Sequence, residues 1–294
     1  MKPPVLSALV ALLLALGTAG AQQIAVFRTE SRLVVLHVTV RNGRGTLVTH
    51  LGRDSFTVYE DSRAQTIALF RNDDVPVSMG LLIDNSGSMR TLRAKVEAAA
   101  LACVRASNPD DEVFVLNFAD KASIDVPLTG DMRVLEAGIA RVDSIGGTAM
   151  RDAIEMGSRY LTERARRDRK VLLVVTDGRD NASLESLDDV RRRAERREIA
   201  IYSIGLAGHA DGRRQLDELD KLSEATGGAA YFPRPEDDMA LDSAASEIAR
   251  EIRSQYTIAY SPGHGAPEGS YRKVRVAVKG SGLTATTRAG YRTP

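Results

Sequence analysis

Two carboxylates and three hydroxyls, drawn from three separate stretches of the chain, have the types and surroundings to hold a hard divalent cation. The stretches are Asp84-Asn85-Ser86-Gly87-Ser88, Gly146-Gly147-Thr148 and Thr176-Asp177-Gly178. The oxygen-only set Asp84, Ser86, Ser88, Thr148 and Asp177 suits Mg²⁺ or Mn²⁺ and lacks the nitrogen and sulfur that zinc prefers. The 4 histidines are scattered and are not expected to ligate a metal. Gly87 reads as a tight turn that lets Ser86 and Ser88 point inward together, and the helix start after it would add backbone N–H groups and a positive dipole end. Singly, these motifs are a helix-capping turn, a plain loop and a common turn. Their joint placement is what points to a metal.

That placement depends on the elements around them. Four apolar runs read as buried strands: Met79 to Ile83, Val113 to Leu116, Val171 to Val175 and Ile199 to Ile204. Between and after them, Leu92/Val96/Ala99/Cys103, Met132/Leu135/Ile139/Val142, Ala153/Ile154/Gly157/Tyr160/Leu161, Leu187/Val190/Ala194, Leu216/Leu219/Leu222 and Leu241/Ala245/Ile248/Ile252 repeat at helical spacing. The alternation predicts an α/β domain over 77–255, a doubly wound, mostly parallel sheet with helices on both faces. In such sheets ligands bind beyond the carboxyl ends of the strands, where the polar motifs fall. The flanks read differently. Residues 22–76 alternate with period two, as in Val34/Leu36/Val38/Val40, and 256–294 return to that pattern in Tyr256 to Tyr260 and Val274/Val276/Val278. Neither flank has enough strands to stand alone, so the two are expected to pair into one small sheet.

The chain of 294 residues, 43% hydrophobic and 27% charged, can bury a sizeable core. With 40 basic against 39 acidic side chains there is no charge excess to draw nucleic acid or an anionic surface. Residues 1–21 have the three parts of a secretory signal peptide, with Lys2, an apolar stretch over Leu9 to Leu16, and Ala19-Gly20-Ala21 before the expected cleavage. No later segment reads as a membrane span, and an exported bacterial protein, periplasmic or secreted, is expected. The single cysteine, Cys103, lies in phase with the apolar stripe of its helix and reads as a buried hydrophobe. Arg164 to Lys170 and Arg191 to Arg197 read as solvated, charge-dense helix ends. Asn181-Ala182-Ser183 has the form of a glycosylation sequon but reads as the loop after Asp177. Arg90, Arg151 and Asp152, beside the metal motifs, are candidates for tuning partner choice, with a charge at the start of its helix as the alternative role of Asp152.

Together the five residues resemble the metal-ion-dependent adhesion site, or MIDAS, of the von Willebrand factor A (VWA) family over roughly residues 77–255. The resemblance implies that Ser86, Ser88 and Thr148 coordinate the ion directly, that Asp84 and Asp177 act largely through bound waters, and that one position stays open for a ligand carboxylate. Gly52 to Asp61, Gln255 to Pro262 and Gly290-Tyr291 resemble the flanks of the "VWFA-related" proteins abundant in acidobacteria. The function these resemblances imply is that of a protein-binding module, not an enzyme, in which Mg²⁺ (or Mn²⁺ or Ca²⁺) captures an Asp or Glu of a protein partner. The alternatives are a scaffold whose metal only stiffens the loop, and a metal-dependent phosphohydrolase, which lacks a candidate nucleophile or base in these motifs. The family resemblance also raises the expectation that the helix around Leu241 to Ile252 shifts when the site is occupied.

Overall fold

The computed structural model describes residues 33–140, 146–177, 179–206, 213–234, 237–263 and 267–293. The expected signal peptide at 1–21 lies outside them.

The apolar runs form the interior of a six-stranded sheet. Its strands are β5 (Val77–Asp84), β6 (Glu112–Phe118), β7 (Ala122–Thr129), β8 (Arg169–Thr176), β9 (Ile199–Gly205) and β10 (Ala230–Tyr231), in the order β10-β9-β8-β5-β6-β7. All neighbours are parallel except β6 and β7. Every residue of β5 and β6 is buried, as continuous apolar runs between two helical layers require. The antiparallel strand β7 is an addition to the expected pattern. Its half-buried residues and Pro127 suit a sheet edge, where a missing N–H leaves no ladder partner unsatisfied.

Side chains alternate across the sheet. Met79, Leu81 and Ile83 pack on one face against Val96, Ala99 and Cys103 of α1 (Arg93–Ala106), Leu135 of α2 (Met132–Ile139), and Ala245 and Ile248 of α6 (Asp238–Arg253). On the other face, Leu82, Phe114 and Leu172 meet Ile154 and Leu161 of α3 (Met150–Arg164), Val190 of α4 (Leu187–Arg196) and Leu219 of α5 (Arg213–Thr226). Cys103 is fully buried, and that burial pushes its thiol up to about 12, so it packs as a small hydrophobe.

The flanks build two four-stranded antiparallel sheets where one was expected. One joins β1 (Val34–Arg41) to β11 (Tyr256–Tyr260), β4 (Ile67–Arg71) and β13 (Thr284–Thr286); the other joins β2 (Phe56–Glu60) to β12 (Tyr271–Val278), β3 (Arg63–Gln65) and β14 (Gly290–Arg292). Leu36, Val38, Val58, Ile258 and Val276 fill a core between them. The two-sheet outcome follows from alternation, because each flank has one apolar face and needs a second sheet to cover it.

The two charge runs are solvated in part, at Arg164, Arg166, Arg167, Asp168 and Arg196, but some of their arginines hold structural contacts. Arg169, only 6% exposed, opens β8 and donates to the Ile252 carbonyl at 2.6 Å and to the Gln255 side chain. Arg166 meets Glu112 at 2.8 Å, and Arg197 binds both oxygens of Glu155 at 2.9 Å. A second polar centre ties α6 to both sheet systems. The buried Glu251 carboxylate accepts from Thr39 Oγ1 at 2.9 Å, Arg41 Nη2 at 2.7 Å and Tyr231 OH at 2.8 Å. Replacing Glu251 with alanine would leave these donors without their acceptor. Urea unfolding should show a loss of roughly 3 kcal/mol for Glu251→Ala, against under about 1 kcal/mol for Glu247→Ala, the more exposed partner of Arg41.

Candidate metal site

The sheet places the predicted residues at its carboxyl edge. Asp84 is the last residue of β5, the central strand, and Asp177 follows the end of β8 beside it. Thr148 precedes α3, in a loop held against the Asp84 loop by a 3.1 Å hydrogen bond from Gly87 N to Gly146 O. That loop is also tied to the end of β6, since Ala149 N donates to Ala119 O at 2.7 Å.

Asp84 is 1% exposed, and both of its carboxylate oxygens are engaged. Oδ1 accepts from Ser86 N at 2.8 Å, and Oδ2 accepts from Thr176 Oγ1 at 2.6 Å. Ser86 and Ser88 present their hydroxyls to each other at 3.1 Å, with Ser86 buried and Ser88 open to solvent. Thr148 is buried and Asp177 half-buried. Gly87 lies in the tight turn between Ser86 and Ser88. It begins a short 3-10 helix over Gly87–Leu92 with a negative φ, and its role is the hydrogen bond to Gly146.

Glycine is required in the facing loop. Gly146 has φ +94, and a side chain there would collide with Asp120. A Cβ on Gly147 would lie 2.7 Å from Asn181 Oδ1 and 2.9 Å from Asp120 Oδ1.

These collisions identify residues that sequence reasoning missed. Asp120 accepts from Gly147 N at 2.6 Å, and Asn181 accepts from Thr148 N at 2.8 Å, so the sequon asparagine is a brace for the loop. Asp120 follows the apolar run of β6 by the same rule that located Asp84 and Asp177, and that position was its available signal. Asn85 is also committed to the scaffold, donating from its backbone to Phe118 O at 2.7 Å and from its side chain to Asn117. Arg151 and Asp152, candidates for tuning a partner, also serve the scaffold. Arg151 pairs with Asp180 at 3.0 Å, and Asp152 accepts from Leu184 N and Glu185 N, latching the loop after Asp177 onto α3.

The electrostatics favour a cation. Among the described residues no basic side chain forms a salt bridge with Asp84, whose carboxyl is pushed up to about 6, chiefly by burial and further by the charge of Asp177. No group of three or more His, Cys, Asp and Glu side chains is assembled among the described residues. The donors here are two carboxylates and three hydroxyls, a composition that fits a hard ion held by neutral oxygens.

Comparison with known proteins agrees with the fold. Residues 79–179 match the family profile described as von Willebrand factor type A domain, and the chain carries such a domain. Among solved structures it is similar to a von Willebrand factor type A protein from Catenulispora acidiphila, at 15% identity and a TM-score of 0.51, over 91% of this chain and 75% of that one. It is also similar to proximal thread matrix protein 1 from the mussel byssus, at 17% identity and a TM-score of 0.51, over 66% and 51% of the two chains. BatB from Bacteroides thetaiotaomicron aligns at 20% identity with a TM-score of 0.47, over 60% of this chain and 100% of that one. No curated protein matches the sequence.

A carboxyl whose folded pKa lies near 6, against 3.8 in the unfolded chain, binds protons better when folded. Metal-free protein should therefore lose stability as pH rises from about 4 through 6, by on the order of 3 kcal/mol from this group. In EDTA at pH 7.5, Asp84→Asn should melt no lower than wild type. Mg²⁺ should raise the melting temperature of wild type alone, and this gain should fade below about pH 6 as protons compete for Asp84. Differential scanning fluorimetry at pH 5 and 7.5 checks both outcomes.

Proposed function

We propose that the chain is an exported binding protein that captures an acidic residue of a protein partner through a divalent cation. Asp84, Ser86, Ser88, Thr148 and Asp177 would hold the ion, with Mg²⁺ suiting the donors and Mn²⁺ or Ca²⁺ as substitutes. The single observation that carries this reading is the buried Asp84 carboxylate, without a basic partner among the described residues, beside two converging hydroxyls, one of them open to solvent. When bound, the ion would supply an electrophilic position for a carboxylate oxygen. Both Asp84 oxygens already accept hydrogen bonds, which favours a role through bound water, with the hydroxyls of Ser86, Ser88 and Thr148 nearest the ion.

The loop's geometry also bears on the scaffold alternative. Backbone and side-chain hydrogen bonds already hold Asp84, Gly87 and Thr148, which favours a binding role for the ion over one of stiffening the loop. Against a phosphohydrolase, the neighbouring carboxylates Asp120, Asp152 and Asp180 are engaged as loop braces, which leaves them poorly suited to act as a general base. No helix among the described residues is long and apolar enough to cross a membrane.

Affinity capture from the envelope fraction of the source organism, with Mg²⁺ or EDTA and with wild type or Asp84→Ala, checks the proposal. A partner set should be retained only by wild type with metal, and phosphate esters should not be turned over. A partner set indifferent to both the ion and Asp84 would contradict it.

A further inference from the structure

β8, which ends beside Asp84, begins at a cavity. About 290 Å³ of space lies where Arg169 and Lys170 open β8 and Ile199 opens β9, at the edge of the main sheet opposite Asp84. An eight-residue strand spans roughly 25 Å, so the two sites are separate. The facing wall comes from the flanking sheet. Val34, Leu36 and Val38 of β1 point into the flank core, so the alternate residues Val35 and His37 line the cavity.

The wall combines apolar surface with positive charge. Val35, although in a strand, is 36% exposed, and Leu69 and Ile199 lie along the same space. Arg169 is buried and its hydrogen bonds go to neutral groups, the Ile252 carbonyl and Gln255, while Asp111, Asp74 and Glu251 stabilise its charge without an ion pair. The carbonyl lies in the last turn of α6, whose negative dipole end offsets only part of a full charge. Arg288 spends its Nη atoms on Glu198 at 3.1 Å and Val35 O at 2.9 Å, while its Nε and the adjacent Thr287 Oγ1 have no partner among the described residues.

Four basic side chains, Arg71, Arg169, Lys170 and Arg288, line the space against three acidic ones, which offset part of this field. Glu198 is committed to Arg288, and Asp168 sits exposed at the mouth. Glu195 is buried with Oε1 lacking a hydrogen bond, and its nearest ion pair is Arg191 at 3.5 Å. His37 is enclosed by protein but keeps accessible surface, as a residue facing an internal space does. Burial first, then Arg169 and Arg288, hold its imidazole well below the usual histidine range and so neutral.

We propose that this cavity binds a small organic carboxylate, its head group toward Arg169 and Arg288 and its apolar body along Val35, Leu69 and Ile199. The volume sits at the lower end for small-molecule sites. The proposal does not rest on the metal site.

Octanoate is a suitable probe, compared with octylamine and acetate by isothermal titration calorimetry and by the imidazole NMR signals of His37. Octanoate should bind one per chain, at least tenfold tighter than either comparison ligand, and shift the His37 signals. Lys170→Gln should weaken binding severalfold and Ala200→Leu, which fills the cavity, should abolish it, while Asp84→Ala leaves it unchanged. Equal binding of octylamine and octanoate by the wild-type protein, or His37 signals unmoved at millimolar octanoate, would overturn the proposal without depending on any variant.

Discussion

A charged residue ends the most buried strand of this protein. β5 lies at the centre of the six-stranded sheet, between β8 and β6, and its eight residues are all buried. Burial stabilises the seven residues before Asp84, but at Asp84 it opposes ionisation. The surroundings answer part of that cost, since Ser86 N and Thr176 Oγ1 donate to the carboxylate. The rest of the edge is built by further braces. Gly146 and Gly147 are small because Asp120 and Asn181 close against them, and those braces hold Thr148 beside the Asp84 loop. The cation remains a proposal; the buried charge that calls for one is a property of the fold.

The legible part of the fold was the part with strong periodicity. Continuous apolar runs identified the parallel strands, and three- and four-residue spacing identified the helices, because full burial between two layers leaves little choice of residue. The edge strand β7 was missed since its half-buried residues and Pro127 give a weak pattern. The flanking strands were legible as strands, but their division into two sheets was not, because partner choice between distant strands is a tertiary matter.

The same distinction holds at the site. Asp84, Ser86, Ser88, Thr148 and Asp177 could be found because type, spacing and strand ends agree. Asp120 carried a positional signal at the end of β6, but its role as a brace, like those of Asn181 and Asp152, lies in which backbone N–H it meets and so was not legible. The arginine runs were legible only in part for a related reason. Arg169 and Arg197 sit in charge-dense sequence, and only packing reveals that Arg169 caps the end of α6 while Arg197 clamps Glu155.

The central claim is that three loops form one divalent-cation site, and titration with Mn²⁺ followed by electron paramagnetic resonance tests it most directly. One ion per chain should bind to wild type, be displaced by Mg²⁺, and be lost in both Asp84→Ala and Thr148→Ala while the circular dichroism spectra stay native. Mn²⁺ binding that is unchanged in folded Asp84→Ala protein, or no stoichiometric binding by wild type, would contradict the account.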